Sequence, residues 1–271
     1  MSAPDRWLIA CDLDGTLFDH SLQISPRVRA TLAAAQQAGH AVTLATGRMY
    51  RATLPFATEL AIDQPLICYQ GALVRRGDDE IFHLTLPLSV TRDAVSFALE
   101  HGIHLNAYVD DRLFTAQRTP EADFYVSLNP AVELELVGDL LAFLTREPTK
   151  LVFIRDEAAT EHLLPVAVER WGEQAQVVRS HARFVELTHR DASKGSALLH
   201  LARALEIPRE RTLAIGDNLN DLSMLQEAGV GVAMGNALPA LKIAADWVAP
   251  PLSEDGVAAA VERFVLEGHR D

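Results

Sequence analysis

Two aspartates that follow a hydrophobic run are the residues of this chain with the clearest chemical potential. Asp12 and Asp14 stand in the segment WLIACDLDGTLF, after the apolar stretch from Trp7 to Cys11. Such a stretch predicts a buried parallel strand, and open α/β sheets hold their ligands at the carboxyl ends of these strands. Residues i and i+2 of a strand share a face, so the two carboxylates can converge if the chain turns at Gly15. Converging carboxylates repel each other unless a cation lies between them.

Three further polar clusters stand at predicted strand ends or helix starts, at Thr46–Arg48, Ser193–Gly195 and Gly216–Asp221. Thr46 follows the apolar AVTLA run and precedes a predicted helix, which would direct a hydroxyl and free backbone N–H groups at an anion. A plain helix-capping threonine would have the same local sequence. Lys194 lies in the first turn of a predicted helix, where the helix dipole disfavours a cation. A positive charge acting on a bound anionic group and on Asp12 explains Lys194 better.

In this order, the four segments resemble the motifs of the haloacid dehalogenase superfamily of phosphohydrolases. The resemblance is strongest to the Cof-type branch, subfamily IIB, in which a C2-type cap is inserted between the second and third motifs, and it covers essentially the whole chain. It implies a Mg²⁺-dependent phosphatase that hydrolyses small phosphorylated metabolites, such as sugar phosphates or a cofactor phosphate, through an aspartyl-phosphate.

The resemblance also implies a role for each motif residue. Asp12 is the expected nucleophile and Asp14 the general acid and base, and the catalytic set is completed by Thr46 and Lys194. The expected Mg²⁺ ligands are the carboxylates of Asp12 and Asp217 and the backbone carbonyl of Asp14. Phosphate or substrate contacts are expected from Thr46, Gly47, Lys194 and Asn220, with supporting roles for Asp221 and Arg48.

Simpler explanations exist for some of these residues. Asp14 could be a turn or capping aspartate, Asp221 could complement the dipole at a helix start, and Arg48 could be structural. The chain also departs from many relatives, which carry Asn where this sequence has Gln70, before Gly71 and Ala72. A longer amide at position 70 could reach the same partner, but it changes the substrate geometry expected from relatives.

Alternation of predicted strands and helices indicates an α/β fold with a doubly wound, mainly parallel, Rossmann-like sheet. The alternation stops after the hairpin around Gly77 and resumes after Ser193. We therefore expect a discontinuous catalytic core of residues 1–84 and 186–271 and an inserted α+β cap of residues 85–185. Cap side chains that could contact the leaving group are His104, Arg112, Arg118, His181 and Arg183.

Composition excludes several classes of function. The formal net charge of −13 argues against nucleic acid or anionic membranes as partners. No apolar run approaches the roughly 20 residues of a membrane helix, and MSAPDRW lacks the features of a signal peptide, so a cytoplasmic protein is expected.

Cys11 and Cys68 lie in apolar runs and are expected to be buried free thiols. The ten histidines show no metal-ligand spacing. The oligomeric state is left open.

Several other functions are alternatives to a phosphatase. A sugar phosphomutase of the same superfamily would return the phosphoryl group to a sugar rather than to water. A non-catalytic phosphometabolite-binding protein or a phosphorylated receiver-like module would have no need of an acid–base aspartate at position 14. A haloacid dehalogenase proper would use neither Asp14 nor a metal.

Overall fold

The computed structural model describes residues 6–128 and 132–267. The first five residues, on which the signal-peptide argument relies, lie outside that range. The strands, in chain order, are β1 (Leu8–Cys11), β2 (Ala41–Leu44), β3 (Leu66–Cys68), β4 (Leu73–Arg76), β5 (Asp79–His83), β6 (His104–Val109), β7 (Arg112–Thr115), β8 (Leu134–Leu136), β9 (Lys150–Ile154), β10 (Ala175–His181), β11 (Phe184–His189), β12 (Thr212–Gly216), β13 (Val230–Ala233) and β14 (Trp247–Val248).

The α-helices are α1 (Pro26–Gln37), α2 (Tyr50–Glu59), α3 (Leu88–Glu100), α4 (Pro120–Leu128), α5 (Leu140–Phe143), α6 (Glu157–Trp171), α7 (Lys194–Ala204), α8 (Leu222–Glu227), α9 (Pro239–Ala244) and α10 (Gly256–Val261). Among the helices in the described part of the chain, none combines the length and the apolarity needed to cross a bilayer.

The chain forms two compact units. The first comprises the described residues of Met1–Arg48, Thr53–Phe82 and Ser193–Asp271, and the second comprises Met49–Ala52 and the described residues of His83–Ala192.

A parallel five-stranded sheet forms the centre of the first unit, in the order β14-β13-β12-β1-β2. All four residues of β1 and of β2 are buried, as expected for parallel strands covered on both faces. The predicted doubly wound α/β fold is confirmed. A three-stranded antiparallel sheet, β3-β4-β5, forms the predicted hairpin, whereas the short strand β14 carries no apolar run that predicts it.

Helix α1 illustrates how the sequence sets its own local structure. Ser25 is its N-cap, and the Ser25 hydroxyl accepts a hydrogen bond of 3.2 Å from the backbone N–H of Val28. Pro26 occupies the first turn, where its missing N–H has no cost. The helix buries Val28 and Leu32. Serine followed by proline favours such a helix start, and both the cap and the helix are present.

The second unit contains a six-stranded sheet in the order β10-β11-β9-β6-β7-β8, antiparallel except for the β7–β8 pair. Its apolar core includes Phe97 of α3, Phe153 of β9 and Trp171 of α6. The ring of Trp171 stacks on that of Phe153, with centroids 5.4 Å apart. This unit is therefore an α+β module with its own hydrophobic core.

Candidate active site

Asp12 follows β1 directly, and its carboxylate lies at the carboxyl edge of the parallel sheet. The side chain is 5% exposed, and its Oδ1 accepts a hydrogen bond of 2.5 Å from Nζ of Lys194. The same Nζ donates to Oδ1 of Asp221 at 2.6 Å. One buried ammonium thus joins two carboxylates that come from different strand ends.

Lys194 is the first residue of α7, as the sequence predicts, and Ser193 is the N-cap. Lys194 is 1% exposed. Burial by itself would lower the pKa of its ammonium, but the charges of Asp12 and Asp221 and the hydrogen bonds to them raise that pKa above its usual value. Lys194 is therefore held in its charged form.

Asp221 is fully buried and makes more contacts than a helix-capping charge requires. In addition to Lys194, it accepts hydrogen bonds through Oδ2 from the backbone N–H groups of Asp217 and Asn218, at 3.0 and 3.1 Å. These bonds hold the loop after β12 in a fixed turn. Asp221 thereby positions both Lys194 and Asp217.

Three carboxylates, those of Asp12, Asp217 and Asp221, offer oxygen atoms that all lie within 4.8 Å of one another. Burial and the neighbouring charge of Asp221 raise the pKa of Asp217 to about 6. Burial, followed by the charge of Asp221, also raises the pKa of Asp12 well above its usual value, although Lys194 opposes this effect.

Among the described residues, one ammonium contacts this cluster, that of Lys194, and it binds Asp12 and Asp221. Clustered oxygen donors with excess negative charge fit a hard divalent cation such as Mg²⁺. The site thus brings together the predicted ligands Asp12 and Asp217 and adds Asp221.

A tight turn at Gly15 brings the end of β1 close to Asp217. Gly15 has φ of +88°, and a Cβ atom there would lie 2.4 Å from Oδ2 of Asp217. Only glycine fits this approach without strain. Thr16, the next residue, donates a hydrogen bond of 3.2 Å to Oδ1 of Asp217.

Asn236, in the loop after β13, also fixes this turn by donating a hydrogen bond of 2.8 Å to the carbonyl oxygen of Gly15. The sequence interpretation missed both Thr16 and Asn236. A polar residue shortly after another parallel strand was the available signal for Asn236.

The carboxylate of Asp14 forms a bidentate ion pair with Arg48. Nε and Nη2 of Arg48 donate to the two oxygens of Asp14 at 2.8 and 2.6 Å. The guanidinium carbon also lies 5.6 Å from the ring centroids of both Phe18 and Phe56. The Asp14 side chain remains 55% exposed. Arg48 therefore orients Asp14 while leaving its carboxylate accessible.

Thr46 is buried after β2, and its surroundings correct one part of the sequence interpretation. Its backbone N–H donates to the carbonyl of Ile67 at 2.9 Å, and its hydroxyl accepts from the backbone N–H of Arg48 at 3.1 Å. Helix α2 begins only at Tyr50. The N–H groups of Tyr50 and Arg51 donate to the carboxylate of Asp111, and all three residues belong to the second unit. The N–H groups of Thr46, Tyr50 and Arg51 are therefore not free for an anion, because other acceptors occupy them.

Gln70 and Asn220 form a hydrogen-bonded amide pair in the first unit. Nδ2 of Asn220 donates to Oε1 of Gln70 at 3.1 Å, and the Gln70 amide lies against Gly47, where a Cβ atom would be 2.4 Å from its Nε2. Gln70 has a left-handed backbone conformation, with φ of 59°. Tyr69, the residue before it, also has a positive φ, of 53°, so strand β3 ends at Cys68.

The polar residues suggested for the leaving group have partners within the second unit. Arg112 forms an ion pair with Glu135, and Arg118 forms one with Asp123. His104 contacts Asn106 and Thr119. Arg183 lies over the ring of Phe124, and His181 packs against Phe184.

Cys11 and Cys68 are buried free thiols, as predicted.

Comparison with known proteins gives consistent results over nearly the whole chain. The family described as haloacid dehalogenase-like hydrolase matches residues 9–261. The chain is 30% identical to 5-amino-6-(5-phospho-D-ribitylamino)uracil phosphatase YitU of Bacillus subtilis, with 96% of this chain and 97% of that protein covered. It is also 30% identical to pyridoxal phosphate phosphatase YbhA of Escherichia coli, with 93% and 96% covered.

A solved structure shows the same fold. The crystal structure of a haloacid dehalogenase-like hydrolase from Bacteroides thetaiotaomicron superimposes with a TM-score of 0.87 at 31% sequence identity, and the match covers 96% of this chain and 99% of that one.

Proposed function

Because the chain belongs to the family of haloacid dehalogenase-like hydrolases, we propose that it is a phosphatase of small phosphorylated metabolites in which Asp12 is the nucleophile. The observation that carries the proposal is the buried contact of Asp12 with Lys194, which also binds Asp221, beside the carboxylate of Asp217. The curated relatives named above are phosphatases of a phosphorylated ribityl compound and of pyridoxal phosphate.

The residues divide the reaction into two steps. An oxygen of Asp12 attacks phosphorus as the bond from phosphorus to the leaving oxygen breaks, which forms an aspartyl-phosphate. Asp14 gives a proton to the leaving oxygen, so that a neutral alcohol departs. A water molecule then attacks the phosphoryl group and gives a proton to Asp14, which releases phosphate and restores the carboxylate of Asp12.

The contacts of the supporting side chains suit these roles. Lys194 places a fixed positive charge 2.5 Å from Asp12 Oδ1, where negative charge of the transferring phosphoryl group must be neutralised. Arg48 holds both oxygens of Asp14. Thr46 and Gly47 would contact the phosphoryl oxygens.

Mg²⁺ would be held by Asp12 and Asp217, with the carbonyl of Asp14 as a further ligand and with Asp221 beside them. When bound, the ion neutralises the phosphate charge and reduces its repulsion of the nucleophile. The segment 85–185 would act as the cap that selects the leaving group. Buried free thiols suit a reducing compartment such as the cytoplasm.

The test is release of phosphate from p-nitrophenyl phosphate and from a panel of phosphorylated metabolites by the purified protein. We expect turnover with Mg²⁺ and its loss in excess chelator, and product analysis with a hexose phosphate separates hydrolysis from phosphoryl return to the sugar. Full turnover in chelator would refute the metal assignment. If the folded protein releases no phosphate from any of these esters, the proposal that it is a phosphatase is refuted.

A further inference from the structure

The second unit contains a cavity of about 340 Å³ at one end of its sheet. The cavity lies beside the start of β6 and the ends of β7 and β9, where residues 103–105, 115–117 and 154–156 line it together with side chains of α3, α4 and α5. The lining contains none of the aspartates of the candidate active site, and neither Lys194 nor Arg48. A cavity of this volume can hold one small molecule.

Much of the lining is apolar and belongs to the packed core of the unit. Val95 and Ala98 of α3, Ile103 before β6 and Leu140 of α5 are all buried members of that core. Leu99 also lines the cavity, and it is 62% exposed. Core side chains are held rigidly by their packing, so this part of the lining is a fixed surface for the apolar body of a ligand.

Arg155, directly after β9, supplies the positive charge of the cavity. Its backbone is fixed by Arg183, because its N–H donates to the Arg183 carbonyl at 3.1 Å and its carbonyl accepts from Nε of Arg183 at 2.8 Å. Within residues 6–128 and 132–267, the half-buried guanidinium of Arg155 has no hydrogen-bond or ion-pair partner. A guanidinium with unused donors suits a carboxylate, which it can bind through two parallel hydrogen bonds.

Glu121 and Asp156 supply negative charge, each at the beginning of a helix. Asp156 is the N-cap of α6, and its Oδ1 accepts a hydrogen bond of 2.9 Å from the backbone N–H of Ala159. Glu121 lies in the first turn of α4, and hydrogen bonds from its own backbone N–H and from Thr119 lower its pKa. Among the described residues, neither carboxylate forms an ion pair with Arg155.

Charge complementarity decides what the cavity can bind. His104, the remaining titratable group of the lining, adds no charge at neutral pH, because burial lowers its pKa. A simple anion would be attracted by Arg155 and repelled by the two carboxylates, and the reverse holds for a simple cation. A wholly apolar molecule would remove these charged groups from water without giving them a partner. A molecule with a carboxylate, an ammonium and an apolar body matches all three parts of the lining.

We propose that this cavity of the second unit binds a free α-amino acid with an apolar side chain, with its carboxylate on Arg155 and its ammonium beside Glu121 and Asp156. The ligand would be additional to the phosphate ester, and the proposal does not depend on the phosphatase function proposed above.

The test is isothermal titration calorimetry of the full-length protein with L-phenylalanine, in the absence of any phosphate ester. We expect saturable binding with a Kd of about 1 mM or tighter, as is reasonable for a ligand of this size. Matched analogues each lack one feature: 3-phenylpropionate has no ammonium, 2-phenylethylamine has no carboxylate, and glycine has no apolar body. Each analogue should bind at least about tenfold more weakly, because one part of the lining then has no partner.

Two variants separate the charges of the site. Arg155→Met removes the guanidinium and keeps an unbranched side chain, so it should weaken binding of L-phenylalanine by about tenfold or more and leave that of 2-phenylethylamine unchanged. Glu121→Gln should weaken binding of L-phenylalanine and leave that of 3-phenylpropionate no weaker. Arg92→Met, at an exposed arginine of α3 outside the lining, is the matched control and should keep the wild-type Kd.

Three results would overturn the inference. The first is the absence of saturable L-phenylalanine binding by the wild-type protein, whatever the phosphatase assays show. The second is equal affinity for L-phenylalanine and 3-phenylpropionate, which would assign the cavity to simple carboxylic acids. The third is a wild-type Kd for L-phenylalanine in Arg155→Met, or in Glu121→Gln if circular dichroism shows that Arg155→Met is unfolded, since the amino acid would then bind elsewhere.

Discussion

Replacement of Lys194 by methionine should destabilise the protein strongly, because it removes the ammonium that contacts two buried carboxylates. Methionine keeps most of the side-chain volume, so the effect would be electrostatic rather than a cavity. Lys194 makes two charge-assisted hydrogen bonds, to Asp12 and Asp221. Each bond of this kind contributes roughly 1.5–3 kcal/mol, and loss of one partner from a buried ion pair costs about 3–5 kcal/mol. We therefore expect a loss of about 4 kcal/mol in the free energy of unfolding at pH 8.

The dependence on pH follows from the remaining carboxylates. Burial and mutual repulsion already raise the pKa of Asp12 and Asp217, and loss of Lys194 would raise the pKa of Asp12 further. Protonation at low pH removes part of the repulsion, so the destabilisation should be smaller at pH 5 than at pH 8.

Urea unfolding followed by circular dichroism, in chelator so that no divalent ion replaces the lost charge, measures the effect. Lys242→Met is the matched control, since Nζ of Lys242 donates to the backbone carbonyl of Gly235 and not to a carboxylate. It should lose no more than about 1 kcal/mol. The double variant with Asp221→Asn should recover part of the stability lost in Lys194→Met, because it removes one uncompensated charge. A loss below about 1 kcal/mol in Lys194→Met, equal to the control, would refute this account of the cluster.

Three further predictions concern individual aspartates. Asp12→Asn should lower turnover of p-nitrophenyl phosphate by about 10³-fold or more while the circular dichroism spectrum is kept, since an amide cannot form the phosphoaspartate; turnover near the wild-type rate would place the nucleophile elsewhere. Asp14→Asn should lower turnover of an alkyl phosphate by at least about 10²-fold and turnover of the aryl ester by less, because only the alkoxide leaving group needs a proton. Equal losses of turnover on both esters would indicate that Asp14 has a purely positional role. Because the pKa of Asp217 is raised from 3.8 to about 6, the folded state binds its proton more tightly than the unfolded chain does. Without divalent metal, stability should therefore fall as pH rises from about 4 to 6, by up to about 3 kcal/mol, and Mg²⁺ should restore it above pH 6. A metal-free protein whose urea midpoint is flat over this range would contradict the shift.

Local sequence pattern determined the elements that carry the site. A short apolar run that is followed directly by a turn signal favours a buried strand, so β1 and the place of Asp12 at its end could be predicted from the local sequence. The cap at Ser25 and the start of α7 at Lys194 depend on residues within one helical turn. A cation at a helix start is locally unfavourable, and this conflict indicated a distant anion for Lys194.

The motif pattern directed the charge of Lys194 at Asp12, but the hydrogen bonds and distances of that contact depended on the tertiary structure. Lys194 and Asp12 are 182 residues apart in the chain, and no periodicity of 2 or 3.6 residues relates side chains at such separations. The same limit hid the ion pair of Arg48 with Asp14, the use of the Thr46 N–H by Ile67, and the contact of Gln70 with Asn220. Each depends on how close the ends of parallel strands come and on which rotamer the packing allows. A sequence can therefore specify which polar groups reach the edge of the sheet, whereas the distances and directions at that edge determine which of them form pairs.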